Sequence, residues 1–445
     1  MKVITLILTL FFATGVFHNA VAQPSFLQSG PMVCYSEMRE VALWVQTNAP
    51  ASVKFVYWDK EKPDRKFSTH EAATLAGQAY TCKLIADSVA PGKQYKYALY
   101  INGIKVERPY PLEFQAQALW QWRSEPPGFT VVLGSCAYIN EAQYDRPGKP
   151  YGDGYPIFRS IHQLRPDIML WLGDNTYLRE ADWNTRTGIL HRYTHTRSLP
   201  ELQPLLGSTH HYAIWDDHDF GPNDSDSGFL NKDATLDAFK FFWGNPSCGV
   251  NGQSGITTRF CWADVEFFLL DNRFFRTPNN RQTGEKTVLG KAQFEWLIDA
   301  LSSSTATFKI VAIGGQVLNP VATHETYANV AAEEREKLIS EITANKIKGV
   351  FFVTGDRHHT ELTKLERTNT YPLYDLTVSP LTSGPHVQAK EENNTLRVPN
   401  TLVMERNFAT ITFSGPYNDR KMTITVYNTD GKNLWTREIS LKELR

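Results

Sequence analysis

Beyond residue 130, four uninterrupted apolar runs each end in side chains that can bind metal. Residues 131–133 lead into Gly134-Ser135-Cys136, and Ile168–Leu172 lead into Gly173-Asp174-Asn175-Thr176-Tyr177. Residues 212–215 deliver Asp216-Asp217-His218-Asp219, and Val350–Thr354 deliver Gly355-Asp356-Arg357-His358-His359. A run without polar alternation reads as a strand covered on both faces, as in the inner strands of layered α/β sheets. Open α/β sheets place their ligand sites beyond the carboxyl ends of such strands. The spacing therefore predicts one site assembled from four loops. Its most demanding member is 216–219, because three adjacent carboxylates repel one another unless a cation or another positive group holds them. The chain then breaks at Gly221-Pro222.

Further strands are expected over 265–270, 310–313 and 374–378, with helical periodicity over 155–164, 291–301 and 331–344. Residues 409–413, 422–427 and 435–441 read as an antiparallel meander that completes a sheet. Before residue 115 the texture differs. Short alternating strands over 41–45, 53–58, 81–84 and 95–100 are separated by turn residues, including Asn102-Gly103. They predict a small all-β sandwich of immunoglobulin or fibronectin type at 23–118, a linker ending near residue 128, and a second domain at 129–445. Met1-Lys2, an apolar run and Ala20-Val21-Ala22 predict an export signal over 1–22, so an exported, periplasmic or extracellular chain is expected, with no integral membrane segment after cleavage. With 46 basic and 47 acidic residues, the charge gives no indication of a nucleic-acid-binding surface. Nothing in the sequence speaks to oligomeric state.

The ordered set of strand ends resembles the alkaline phosphatase D (PhoD-like) family of metallophosphatases. Leu270-Asp271-Asn272-Arg273-Phe274-Phe275-Arg276 and the stretch from Leu289 to Leu297 extend the likeness. The resemblance implies a two-sheet metallophosphatase-like α/β sandwich behind the β-sandwich, and an exported hydrolase of phosphate esters or phosphodiesters. Asp174 is placed to bridge two cations. Cys136 and Tyr177 ionise at about 8.5 and 10 when free, so keeping both as anions needs a strongly acidic metal. Ferric iron meets that demand, and the resemblance implies iron there. Asp217, Asp356 and Asn223 offer hard oxygens for a neighbouring divalent cation, Ca²⁺ first, with Mg²⁺ or Mn²⁺ as alternatives.

His358 is expected as a ligand, with His359 behind it or in the core. His218 is expected to act as general acid or electrostatic stabiliser, with Asp219 either orienting its imidazole or capping the next turn. Arg273 and Arg276 are candidates to grip phosphate oxygens or to pair with Asp271, and Arg357 joins them. Gln316 is expected to border the second metal. His191 and His195 read as rim residues, and His210 and His211 as structural. Two other functions fit the same residues. One is a phospholipid-cleaving enzyme that uses Trp183, Tyr193 and Phe229; the other is a metal-stabilised envelope binding protein without catalysis.

The five cysteines are expected to divide into two pairs and a metal-held thiol. Cys248 and Cys261 stand thirteen apart around a Gly-rich loop, and a bridge there would constrain the unfolded chain by about 3 kcal/mol. Cys34 and Cys82 are expected to pair across the β-sandwich, leaving Cys136 for the metal.

Overall fold

A computed structural model describes residues 26–445, and the expected export signal lies outside the described residues. Two sheets pack face to face. The larger has nine strands in the order Asn433–Ser440, Lys421–Asn428, Asn407–Ser414, Phe129–Gly134, Ile168–Leu172, His210–Ile214, Leu27–Ser36, Val41–Thr47 and Thr81–Ala86. The smaller has six, in the order Thr258–Trp262, Val265–Leu269, Phe308–Ile313, Val350–Thr354, Leu373–Thr377 and Glu361–Leu365. The apolar runs form the parallel centre of each. Phe129–Gly134, Ile168–Leu172 and His210–Ile214 pair parallel in the first sheet. Val265–Leu269, Phe308–Ile313, Val350–Thr354 and Leu373–Thr377 do so in the second.

Aromatic rings seal the layer between the sheets. Tyr212 stacks on Phe260 with centroids 3.7 Å apart, and Phe260 on Phe267 at 4.7 Å. Phe129 stacks on Phe413 at 4.9 Å, and Phe413 reaches Phe308 at 5.5 Å. Helices Ile157–Gln163, Arg186–Arg197 and Lys232–Phe242 accompany the larger sheet, and Lys291–Ser303 and Ala332–Ala344 the smaller. Phe158 against Trp171 and Phe242 against Trp44 anchor the first group, while Trp296 against Phe268 anchors the second. The helices Arg186–Arg197 and Lys232–Phe242 and the strand Leu27–Ser36 were not among the elements expected from periodicity.

The amino-terminal β-sandwich is not a separate body. One of its layers is a sheet built on Ser52–Asp59 and Gln94–Ile101. The other layer is the end of the nine-stranded sheet, because Leu27–Ser36 pairs parallel with His210–Ile214. Alternate residues of the shared strands serve two cores. Val33, Val41, Leu43 and Val45 face Phe55, Tyr57, Tyr97 and Leu99, whereas Met32, Cys34, Ala42 and Trp44 enter the main core. With a core on each side, Val41–Thr47 is buried throughout, apolar from Val41 to Val45 and closed by Gln46 and Thr47, whose side chains are hydrogen-bonded. The Trp44 indole donates to the Phe241 carbonyl at 2.7 Å, fixing the seam.

The structure corrects the disulfide expectation, since all five cysteines are free thiols. The strand Val41–Thr47 lies between those carrying Cys34 and Cys82. That leaves them two strand spacings, roughly 10 Å, apart, beyond the reach of a bridge. Cys248 lies in the field of Lys83 and Lys240, and Cys261 in that of Glu266 and Glu37.

Candidate metal centre

Three of the four loops leave their strands through a glycine, and the fourth runs through extended Asp216 into the short helix Asp217–Phe220. Gly173 has φ +92°, and a Cβ there would lie 2.7 Å from the Asp216 Cβ, so only glycine lets these two loops meet. A Cβ on Gly355 would lie 2.6 Å from the Leu172 carbonyl oxygen. The next residues pay for that proximity in backbone strain. Cys136, Asp174, Asp356 and His358 have φ of 57°, 53°, 67° and 54°. Left-handed backbone at a non-glycine residue is uncommon and clusters at binding sites, where surrounding structure enforces it.

The strained residues converge. Donor atoms of Cys136, Asp174 and His358 lie within 4.8 Å of one another, and so do those of Asp174, Asp217 and His218. Asp174 belongs to both groups, so its two oxygens sit between two ligand sets. The Tyr177 hydroxyl donates to Asp174 Oδ2 at 3.0 Å, and the Cys136 thiol lies 3.5 Å from the same oxygen. The His218 backbone N–H donates to the other oxygen at 3.2 Å. His358 commits Nδ1 to the Gly384 carbonyl at 2.6 Å, which leaves Nε2 as its free lone pair, the usual arrangement of a metal-binding histidine.

Charge balance marks the centre as a cation site. Burial first, and then Asp217, Asp216, Asp219 and Asp356, push the Asp174 carboxyl far above the carboxylate range. Burial, Asp216, Glu325 and Asp217 do the same to Asp356. Burial and Asp174 likewise raise Cys136 and Tyr177. Burial also opposes ionisation of Asp217, but His218, Arg273 and the Asp224 amide outweigh it and hold this carboxyl below the usual range. Asp217 Oδ1 and His218 Nδ1 are buried without a hydrogen-bond partner. Thiol, phenol, imidazole and crowded carboxylates that reject their own negative charge fit a metal pair, which supplies the missing positive charge.

Several expected roles shift. Of its two expected roles, Asp219 takes the capping one, closing the capping box of the turn Asp217–Phe220 rather than orienting His218. It accepts from the backbone N–H groups of Thr176 at 2.9 Å, Asp216 at 3.0 Å and Asn175 at 3.1 Å, locking the Asp174 loop to its neighbour. The His218 ring instead stacks on Tyr177, with centroids 4.3 Å apart, and its Nε2 lies 3.9 Å from Asp217 Oδ2. Arg273 and Arg276 are buried. Arg273 pairs with Asp216 and Glu325, and Arg276 with Glu325, so the guanidinium groups are spent internally. Asp271, their alternative partner, instead accepts from the Trp215 indole at 2.9 Å and from the Arg273 backbone N–H at 2.9 Å. Arg357 does reach the pocket wall. Gln316 bonds Glu361 at 2.8 Å and Thr377 at 2.9 Å and accepts from Arg357, so its amide positions that arginine.

Asn223 is exposed on the rim, beside Asp224, whose N–H donates to Asp217 at 2.7 Å. His359 is fully buried, its Nδ1 3.0 Å from the Arg357 carbonyl. His191 is half exposed against Glu141, and His195 meets the Asn140 carbonyl at 3.0 Å. Sequence reasoning missed Glu325, a single acid in a loop with no motif around it, and Arg179, which lines the adjoining cleft. Two cavities open onto the centre, one of about 370 Å³ and one of about 900 Å³, sharing His218, Asn223 and His358.

A family model described as PhoD-like phosphatase matches residues 131–416. The chain belongs to the PhoD-like phosphatase family. A second family model, a domain of unknown function (DUF7800), matches residues 25–119 of this PhoD-like chain. Alkaline phosphatase D of Bacillus subtilis (strain 168) is 22% identical over 330 residues, covering 63% of this chain and 53% of that protein. The chain thus spans about half the length of the curated relative it matches. A solved structure of PhoD superposes with TM-score 0.75 at 17% identity, covering 94% of this chain and 92% of the other. Purple acid phosphatase PPD1 from yellow lupin superposes with TM-score 0.67 at 14% identity, covering 93% and 74%. These likenesses agree with the two-sheet α/β metallophosphatase fold expected from the strand ends.

Proposed function

We propose that this PhoD-like chain is an exported, metal-dependent hydrolase of phosphate monoesters or diesters. The observation that carries the reading is the shared position of Asp174, between Cys136 and His358 on one side and Asp217 and His218 on the other. Cys136, Tyr177, His358 and one oxygen of Asp174 would hold ferric iron. Asp217, Asp356, the other oxygen of Asp174 and the rim residue Asn223 would hold a hard divalent cation, Ca²⁺ first and Mg²⁺ or Mn²⁺ otherwise. Such a pair, when bound, supplies Lewis acidity toward phosphoryl oxygens and a hydroxide from water.

The chain's own residues do the rest. His218 faces both cavities, so its ring can donate a proton or hydrogen bond to the leaving oxygen of an ester lying across them. Stacking on Tyr177 fixes the plane of that ring. Arg357, steadied by Gln316 and Glu392, presents positive charge to a phosphate from the pocket wall. Asp219 and Arg273 act at one remove, by holding the loops in register. We assign residues 23–118 to a β-sandwich unit, 129–445 to the hydrolase unit and 1–22 to a removed export signal.

A phospholipid substrate is the second reading, favoured by the larger cleft with Trp183, Tyr138 and Tyr151 in its wall. Of the residues first considered for a lipid, Tyr193 is buried and Phe229 packs on Phe220. Turnover of a nitrophenyl phosphate, a bis-nitrophenyl phosphate and a phosphatidyl lipid by the purified protein tests both. Hydrolysis of none by the metal-loaded protein would overturn the enzyme reading in favour of a binding protein.

A further inference from the structure

A second cluster of metal-binding side chains stands on the wall of the smaller pocket, sharing no residue with the Asp174 centre but joined to it where the His386 backbone N–H donates to the His358 carbonyl at 2.8 Å. Donor atoms of His324, His386 and Glu392 lie within 4.8 Å of one another. They come from separate segments, the loop before Tyr327–Val330 and the turn that carries Val387–Glu391. The two imidazoles meet edge to face with centroids 5.6 Å apart. His386 Nε2 lies 3.2 Å from Glu392 Oε1, the same oxygen that pairs with Arg357. The other oxygen, Glu392 Oε2, is buried and has no hydrogen-bond partner. Among the described residues, the His324 side chain makes only the ring contact with His386 and is open to solvent, while its backbone carbonyl accepts from the Asn329 amide at 2.6 Å.

The reactions proposed above use neither histidine. A polar oxygen buried without a partner carries a desolvation cost unless something compensates it, commonly about 1–3 kcal/mol. Glu392 meets the His386 imidazole through its other oxygen, and the two imidazoles beside this carboxylate can each offer a lone pair. We propose that His324, His386 and Glu392 form a peripheral site for a divalent transition cation of the zinc class. Two nitrogens and one carboxylate oxygen suit zinc, cobalt or copper and are a poor set for calcium or magnesium, which take oxygen ligands. Three protein ligands leave coordination positions open toward the pocket, as in zinc sites that keep an exchangeable water. Because Glu392 also holds Arg357, occupancy ties the bound cation to the pocket wall. The assignment concerns cation uptake and stands whether or not the phosphatase reading does.

The test is uptake of Co²⁺ by the purified protein carrying its resident metals, followed by equilibrium dialysis and by the visible cobalt bands. The wild type should take up one more equivalent than His324→Ala or His386→Ala. Glu392→Gln should weaken that uptake. Since His324 is exposed, its replacement leaves the core intact, and circular dichroism of each variant checks this. The same one-equivalent difference should persist in an Asp217→Asn background, which separates this site from the Asp174 centre. Copper loading should add nitrogen hyperfine structure from two imidazoles to the electron paramagnetic resonance spectrum. Equal cobalt uptake by the wild type and the folded His324→Ala variant, in both backgrounds, would overturn the proposal.

Discussion

The Tyr177 hydroxyl donates to Asp174 Oδ2 at 3.0 Å, three residues along the same loop. A phenol that close to a shared carboxylate needs little movement to become a ligand itself. A phenolate or thiolate on ferric iron absorbs visible light. The metal-loaded protein should therefore be coloured, and Tyr177→Phe should shift or remove the band while iron remains bound through Cys136, Asp174 and His358. A colourless, fully active protein holding zinc alone would show that the iron assignment is wrong.

Asp217 and His218 are adjacent yet should fail differently. Asp217→Asn removes a carboxylate that faces Asp174 and should lower both metal content and turnover. His218→Ala should retain the metals and lose turnover by roughly 10²–10⁴ if the imidazole serves as acid. Metal analysis beside steady-state kinetics distinguishes them, and unchanged turnover in His218→Ala would remove the residue from the mechanism.

Asp219 predicts a structural phenotype. Its removal strands the backbone N–H groups of Asn175, Thr176 and Asp216 in a dry interior. Asp219→Ala should cost roughly 2–4 kcal/mol in stability, with Asp219→Asn milder because one acceptor survives. Urea unfolding measures it. Loss of activity at full stability would restore a direct catalytic role.

Arg273 and Arg357 should separate in kinetics. Arg273→Ala leaves Asp216 buried without its cation and Glu325 with Arg276 alone, and breaking a buried pair of this kind costs about 3–5 kcal/mol. Arg357→Ala opens the pocket wall and should raise KM more than it lowers stability. The reverse pattern would return Arg273 to the substrate.

His210 and His211 predict acid sensitivity far from the metals. His210 lies with Nδ1 2.8 Å from the Cys34 carbonyl and accepts at Nε2 from the Gln115 N–H at 3.2 Å. His211 accepts from the Trp171 indole at 2.9 Å and lies 3.2 Å from the Leu205 carbonyl. Each is thus fixed as a neutral tautomer. Burial lowers them from the ordinary 6.5 to about 4 and about 3. Their contribution is fully present above pH 6.5 and is lost as the pH falls through that window, because the unfolded chain binds the protons first. The slope should approach about 1.4 kcal/mol per pH unit for each histidine. Either imidazole titrating near 6.5 in the folded protein's NMR spectrum would contradict this.

Much of the fold beyond residue 129 was legible because unbroken apolar runs such as Val350–Thr354 can be little else, and their polar ends were next to them in the chain. The residues that finish the site were harder to read. Asp216, Asp217 and Asp219 share one turn, and their different duties depend on which way each faces, which a string of acids does not encode. Glu325 acquires meaning only when Arg273 and Arg276 arrive from fifty residues away. The strand Leu27–Ser36 was not legible at all, and nothing near it in the chain announces a parallel partner at His210–Ile214.

That pairing makes the amino-terminal unit a structural margin of the body that carries the candidate metal centre. Deleting residues 25–119 would strip three strands from the nine-stranded sheet and leave His210–Ile214 with a raw hydrogen-bonding edge, inviting other chains to stack on it. The loop that carries Asp217 and His218 springs from this same strand. The two units therefore cannot be exchanged like beads on a string. A chimera that imports a foreign amino-terminal half must also match the pleat of His210–Ile214, or it will misplace the acids at its far end.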